Sequence, residues 1–326
     1  MMIIAWLKQS KIILFFRILL ECISETLFCT KYIANSNRDK NVTKFQTNMM
    51  IAAHSLEKGM SIGRVKVGFG KNKALALIED LKYYMSIGGD ISFVGNVCSI
   101  LLSYIKFNEE LGADMSDVKF SLDELSSIYP LSVSPNGGVL VQSDLEIKKT
   151  LDSSFDIFSQ SRFSIRDFGN DPLNLELVIK SLKLCERTPS ACNRQSWRIH
   201  VYTDKNEREK LFSLQGGCKG FIEEMQCAIL ICGDMSLYNI NEIHQVYVDG
   251  GLYAMNLLYA LHYHGLATIP LTMGHKARKI KDIKRSMSIG DQEVPILLIG
   301  VGTCKHGTYR VAVSHRYDFN KYTTFQ

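Results

Sequence analysis

Between Ser161 and Phe168 the chain reads Ser-Arg-Phe-Ser-Ile-Arg-Asp-Phe, which sets Arg162, Ser164 and Arg166 at every second position. In an extended stretch such residues share one side, about 6–7 Å apart. Two guanidinium groups with a hydroxyl between them form a row of donors suited to a long anion with many oxygens. Further on comes Thr188-Pro-Ser-Ala-Cys-Asn-Arg-Gln-Ser-Trp197, a proline-punctuated turn that carries Ser190, Asn193 and Gln195. These short side chains donate and accept, so they suit a ligand edge. Each segment also has an ordinary explanation: solvated arginines, and a loop that satisfies its own hydrogen bonds.

Other chemistries are poorly represented. His262 and His264 stand two residues apart on a run that reads as a helix, so they do not share a face. No H-E-x-x-H or neighbouring carboxylate pattern supports zinc, and no metal site is expected. Gly300-Val-Gly-Thr-Cys-Lys-His-Gly307 is glycine-rich but lacks the spacing of a phosphate-binding P-loop, and no dinucleotide fingerprint occurs. Neither a nucleophile triad nor a carboxylate pair is visible, so no catalytic side chain is assigned.

The two segments, in that order, resemble the nitroreductase family of FMN-dependent oxidoreductases. Its domain opens with Arg-x-Ser-x-Arg and continues with Pro-Ser-x-x-Asn-x-Gln-x-Trp. The likeness runs over roughly residues 155 to 326. It implies an α+β, nitroreductase-like fold with a central mixed sheet flanked by helices. It also implies that Arg162 meets the FMN phosphate, Ser164 the ribityl chain, and Arg166 the pyrimidine edge. Pro189, Ser190, Asn193 and Gln195 would reach a flavin across a homodimer interface. A backbone N–H at Leu271, Thr272 or Met273 would face flavin N5. Arg310 and Arg316 are the basic candidates for the phosphate, with Arg316 preferred. Cys192 and Ser196 occupy positions that vary or are often proline in the family.

The implied reaction is ping-pong: NAD(P)H reduces FMN, and a second small molecule then takes the electrons. The cofactor carries the chemistry. The alternatives are a flavin-binding module without activity in a glycan-assembly system, and a flavin oxidase of a specialised metabolite. The stretch from Gly233 to Gln245 is short where larger relatives carry a lid, so substrate preferences do not transfer.

The elements that must hold these residues follow from pattern. Leu173–Arg187 reads as a helix with Asp171 as a cap. Trp197–Thr203 alternates as a strand, Asp204–Leu214 is a charged helix, and Cys227–Cys232 is a buried strand. Val246–His264 is a long apolar helix in which Gly250, Gly251 and Ala254 permit close approach and Gly265 suits a left-handed cap. Leu266–Leu271 and Pro295–Val301 complete a small sheet.

Residues 1–150 read differently, as a mainly helical region before a flavin domain at 151–326. Val42–Leu56, Lys71–Tyr84 and Asp90–Glu110 have helical spacing, and Asp114–Thr150 reads as a linker. His54-Ser-Leu-Glu-Lys-Gly59 and Gly68-Phe-Gly70 resemble an extension found with some family members near polysaccharide-biosynthesis genes. Met1–Ile33 is apolar but interrupted by Lys8, Lys11, Arg17 and Glu21, too often for a membrane span of about 20 residues. A helix packed on the domain is expected, and peripheral membrane contact is the alternative.

The chain has 326 residues, a formal net charge of +5 and 9 cysteines, an odd number without C-x-x-C. That charge is too mild and dispersed to indicate a nucleic-acid surface. The cysteines read as reduced, mostly buried thiols of a cytoplasmic protein.

Overall fold

A computed structural model describes residues 11–32, 42–129, 137–239 and 242–326. Helix α1 spans Lys11–Tyr32. It does not pack on the domain as expected: Ile12, Phe15, Phe16, Leu20 and Leu27 are all exposed. The segments 1–10 and 33–41 lie outside the described residues.

Four helices build the first core: α2 (Val42–Met60), α3 (Lys71–Ser86), α4 (Ile91–Glu110) and α5 (Ser116–Ile128). Asp90 caps α4 by accepting from the Ser92 N–H at 2.9 Å. Met49, Leu56 and Met60 pack with Leu77, Leu81, Val94, Leu101 and Leu125 in one cluster. By length and composition α4 could cross a membrane, but much of its apolar surface lies in this cluster.

The expected linker is therefore structured over most of its length. Its Val118, Leu122 and Leu125 join the helical core. Strand β1 (Val139–Ser143) and helix α6 (Asp144–Thr150) follow. Their apolar positions are few, so composition concealed them. Pro130 and Pro135 lie outside the described residues.

Past residue 150 the order is α7 (Phe155–Ser161), α8 (Leu175–Leu184), β2 (Trp197–Tyr202), α9 (Lys205–Gln215), β3 (Cys227–Asp234), α10 (Gln245–Tyr263), β4 (Leu266–Thr272), α11 (Ala277–Ser286), β5 (Glu293–Thr303) and β6 (Thr308–Ala312). Asn174, not Asp171, caps α8, accepting from the Glu176 N–H at 3.0 Å. Asp204 caps α9 through the N–H groups of Asn206 and Glu207. Gly265 ends α10 with φ +70°, as a left-handed cap requires.

Strands β2, β3, β5 and β4, in that order, form a four-stranded sheet. Every pairing is antiparallel, which corrects the expectation of a mixed sheet. Strands β3 and β4 do run the same way, joined through α10, but β5 lies between them in the opposite sense. Side chains alternate across the sheet. Leu230, Ile269 and Leu298 face α9 and α11, while Ile229, Ile231 and Ile299 face α8 and α10. The fold is α+β, with helices on both faces.

Close packing of α10 depends on one glycine. A Cβ on Gly250 would lie 2.2 Å from Ile296 Cδ1, whereas one on Gly251 would meet nothing within 4 Å. The expected role thus falls to Gly250 and not to Gly251. Strand β6 pairs with β1, Val141 opposite Arg310. This small sheet ties the segment after the helical core to the C-terminal end of the chain.

Candidate functional site

The segment after α7 runs along the sheet edge. The Ile165 N–H donates to Thr268 O at 2.9 Å, Phe168 bridges to Cys304, and the Gly169 N–H donates to Thr303 O at 2.8 Å. Ile165 is buried against the sheet, with Phe163 packed partly beside it. Alternation then turns Arg162, Ser164 and Arg166 the other way, as their spacing predicts. All three line a cavity of about 810 Å³, within the size range of small-molecule sites.

The charge balance there is unusual. Arg166 is 7% exposed, and its guanidinium donates only to neutral groups, Ser61 Oγ at 3.4 Å and Ser164 O at 3.3 Å. Burial pulls its pKa down to about 10, partly opposed by the nearby Glu57 carboxylate. Arg162 Nη1 is buried with no hydrogen-bond partner. Burial lowers the Arg162 pKa, and Arg316 lowers it further. Arg316 lines the same cavity and donates to Ser314 O at 2.7 Å. A buried donor without an acceptor is costly. These guanidinium groups converge on one space without an ion-paired carboxylate among the described residues.

His262 lies beneath this row. Its Nε2 is 2.8 Å from Ser161 Oγ, and its ring packs on Phe158. Ser161 already donates to Phe158 O, so the imidazole must donate to Ser161. Burial first, then Arg162, depresses its pKa to about 4. His262 is thus a neutral support for the segment. His264 points elsewhere, and its Nε2 is buried without a partner.

The second segment is not brought into this cavity. The Gln195 N–H donates to Ser190 Oγ at 2.9 Å, and Gln195 Nε2 donates to Asn193 O and Oδ1. Cys192, Asn193 and Gln195 have φ of 50°, 55° and 49°. Left-handed conformations cost energy in residues other than glycine. Surrounding groups hold them. Asp249, fully buried, accepts from the Ala191 N–H at 3.2 Å, from Tyr238 and from Gln245. Arg194 forms a two-pronged pair with Glu242 at 2.8 and 2.6 Å, which draws the Glu242 pKa down to about 2. Pro189, Asn193 and Gln195 are exposed. Asp249, Arg194 and Glu242 organise this loop, and nothing in their spacing marked them.

The remaining expected residues separate. Leu271 is buried in the sheet core, and Thr272 O accepts from Gln215. Neither lines the large cavity. Arg310 turns away from it: Nε donates to Met60 O at 2.9 Å and Nη2 to Ile62 O at 3.2 Å, with the guanidinium over the Phe107 ring. It holds the C-terminal end of α2, where a cation is favoured.

The opposite wall comes from the helical half. Met50, Ala53, His54 and Glu57 of α2 and Phe93, Asn96 and Val97 of α4 line the cavity. Within the motif His54-Ser-Leu-Glu57, expected to pack as part of the helical region, Leu56 joins that core while His54 and Glu57 line the cavity opposite the arginines.

An antiparallel sheet with helices on both faces thus carries a row of guanidiniums without ion-paired carboxylates among the described residues, a lining suited to an anionic ligand. Residues 160–216 match the model of the nitroreductase family. A protein of Methanothermobacter thermautotrophicus, provisionally named NADH dehydrogenase/NAD(P)H nitroreductase, is 26% identical over 143 residues, 44% of this chain and 73% of that one. A solved nitroreductase family protein from Streptococcus pneumoniae aligns at 19% identity with TM-score 0.47, covering 53% of this chain and 100% of that one. A Clostridium difficile structure named FMN-dependent nitroreductase aligns at 20% identity with TM-score 0.44, covering 52% and 96%. Residues 160–216 thus resemble the nitroreductase family, and the relatives support an oxidoreductase enzyme.

Proposed function

We propose that the chain is an FMN-dependent NAD(P)H oxidoreductase that works by ping-pong turnover as a homodimer. The observation that carries the cofactor assignment is the buried, unpartnered Nη1 of Arg162 beside Arg166 and Arg316. A phosphate-bearing polyol attached to a flat ring fits that donor set. Arg162 and Arg316 would hold the phosphate, Ser164 a ribityl hydroxyl, and Arg166 the pyrimidine edge, where reduction adds negative charge. Bound there, FMN would supply hydride acceptance and donation at N5. The chain's own part is to grip, orient and neutralise.

The homodimer reading rests on the second segment. Pro189, Asn193 and Gln195 face outward, and Tyr247, Val248 and Leu252 of α10 are exposed. We place that loop in the partner's cavity, with the backbone around Leu271–Thr272 completing the site near flavin N5. We further propose a cytoplasmic location, in which the exposed apolar residues of α1 would rest on a membrane surface.

The test is the visible spectrum of the purified protein before and after anaerobic NAD(P)H. A yellow protein that NAD(P)H bleaches supports the reading. A colourless protein that does not bind added FMN overturns it. A yellow protein that NAD(P)H leaves unbleached rejects the nicotinamide half.

A further inference from the structure

Glu57 is 1% exposed, yet it carries a carboxylate into the cavity wall. Both oxygens are engaged. Oε2 lies 3.1 Å from His54 Nδ1, and Oε1 accepts from the Ser314 N–H at 3.4 Å. Ser314 has φ +51°, in the turn that leads to Arg316. His54 and Glu57 sit three residues apart on α2, so they share a face. A carboxylate at Nδ1 holds the proton there and leaves Nε2 as the ring nitrogen that exchanges. The His54 side chain is 41% exposed, so water can reload it.

We propose that the Glu57–His54 pair, supplied by the helical half, is the proton donor to the electron acceptor in the C-terminal site. This rests on the oxidoreductase reading above. The acceptor class is a conjugated carbonyl, quinones included. Such a molecule would gain a hydride, with its two electrons, from the reduced flavin of that reading, which is thereby oxidised, and would develop negative charge on oxygen. The N–H bond at His54 Nε2 breaks as an O–H bond forms on the acceptor. His54 is left as neutral imidazole with Nδ1–H on Glu57, and solvent returns the proton.

The surroundings suit that step. Arg162, Ser164, Arg166 and Arg316 line the same cavity and are committed to the flavin in that reading. The other titratable or charged groups nearby are Lys58 on α2, Lys73 on α3 through Ser55, Tyr259 on α10, and His315 and Tyr317 of the C-terminal segment. Phe93 and Val97 provide an apolar surface for a flat acceptor.

Stopped-flow absorbance separates the two halves of turnover: bleaching by NAD(P)H, and recolouring by 1,4-naphthoquinone. His54→Gln is expected to slow recolouring about 100-fold, and bleaching far less. Glu57→Gln is expected to slow recolouring about tenfold. It should also abolish the slowly exchanging His54 Nδ1–H resonance in a proton–nitrogen NMR spectrum of the intact protein. Equal loss in both halves, with flavin released, would show that the pair merely props up the wall and would overturn the proposal. So would unchanged recolouring in His54→Gln. A wild-type protein that binds no flavin sinks the oxidoreductase reading itself. The NMR signal would still report the pair in that case, so the two failures can be told apart.

Discussion

The row at Arg162–Arg166 and the loop at Ser190–Gln195 contain the same kind of chemistry but use it in opposite ways. The row presents donors that find no full complement of acceptors in its own chain. The loop spends its donors and acceptors on itself and on Asp249. The row is seated by neighbours on one face only, which leaves the other face for a ligand. The loop is kept in left-handed conformations by groups behind it, with its polar edge outward. A buried guanidinium nitrogen without an acceptor, beside two more guanidiniums, is what suits the row to the anion proposed above. A self-satisfied, strained loop marks a rigid shape offered to something outside the chain.

Breaking the row should have the largest effect. Arg162→Ala should weaken FMN binding by about 100-fold, roughly 2.7 kcal/mol, read by flavin fluorescence titration. Unchanged affinity would move the phosphate elsewhere. Next comes the support beneath it. His262 is neutral when folded because its pKa falls from 6.5 to about 4. Between those values the unfolded chain binds a proton that the folded chain refuses, so stability falls as pH drops. Denaturant titrations should show a loss of about 2 kcal/mol from this group between pH 7 and pH 5. His262→Gln should remove that slope.

Arg310 sharpens the comparison from the other side, because it is an arginine already satisfied. Arg310→Met should cost about 1.5 kcal/mol of stability and leave flavin content per folded molecule unchanged. If flavin is lost instead, Arg310 belongs to the site. The smallest expected effect is at the loop. Gln195→Ala should change stability by less than about 0.5 kcal/mol and lower FMN affinity about fivefold. In mixed dimers of Arg162→Ala with Gln195→Ala, one site should receive both lesions and the other neither. Half the FMN capacity should then return with wild-type affinity. One site weakened about 100-fold and the other about fivefold, with none at wild-type affinity, would place the loop in its own cavity.

Much of this was legible in the residues. The helices α2, α3, α4 and α10 and the strands β2 to β5 follow from apolar periodicity, and their bounds lie close to those expected. The spacing of Arg162, Ser164 and Arg166 agrees with all three lining one cavity, although Phe163 lines it too. Helix α11 escaped because its apolar side is nearly reduced to Ile280 and Ile283 within Ala-Arg-Lys-Ile-Lys-Asp-Ile-Lys-Arg-Ser. Strands β1 and β6 escaped because each is short and acquires its meaning only by pairing with the other. The resemblance preferred Arg316 to Arg310 without a physical reason for the difference. Arg310 and Arg316 stand six positions apart on one segment, yet one holds the end of α2 and the other lines the cavity.

What the sequence determined alone was local: side-chain periodicity, caps, and the donor row with its spacing. These depend on bond geometry and on neighbours a few residues away. Only the tertiary structure decided which donors remain unpaired, and that α2 brings His54 and Glu57 against them. Pairing at such distances is set by how the cores pack and which acceptors burial leaves within reach.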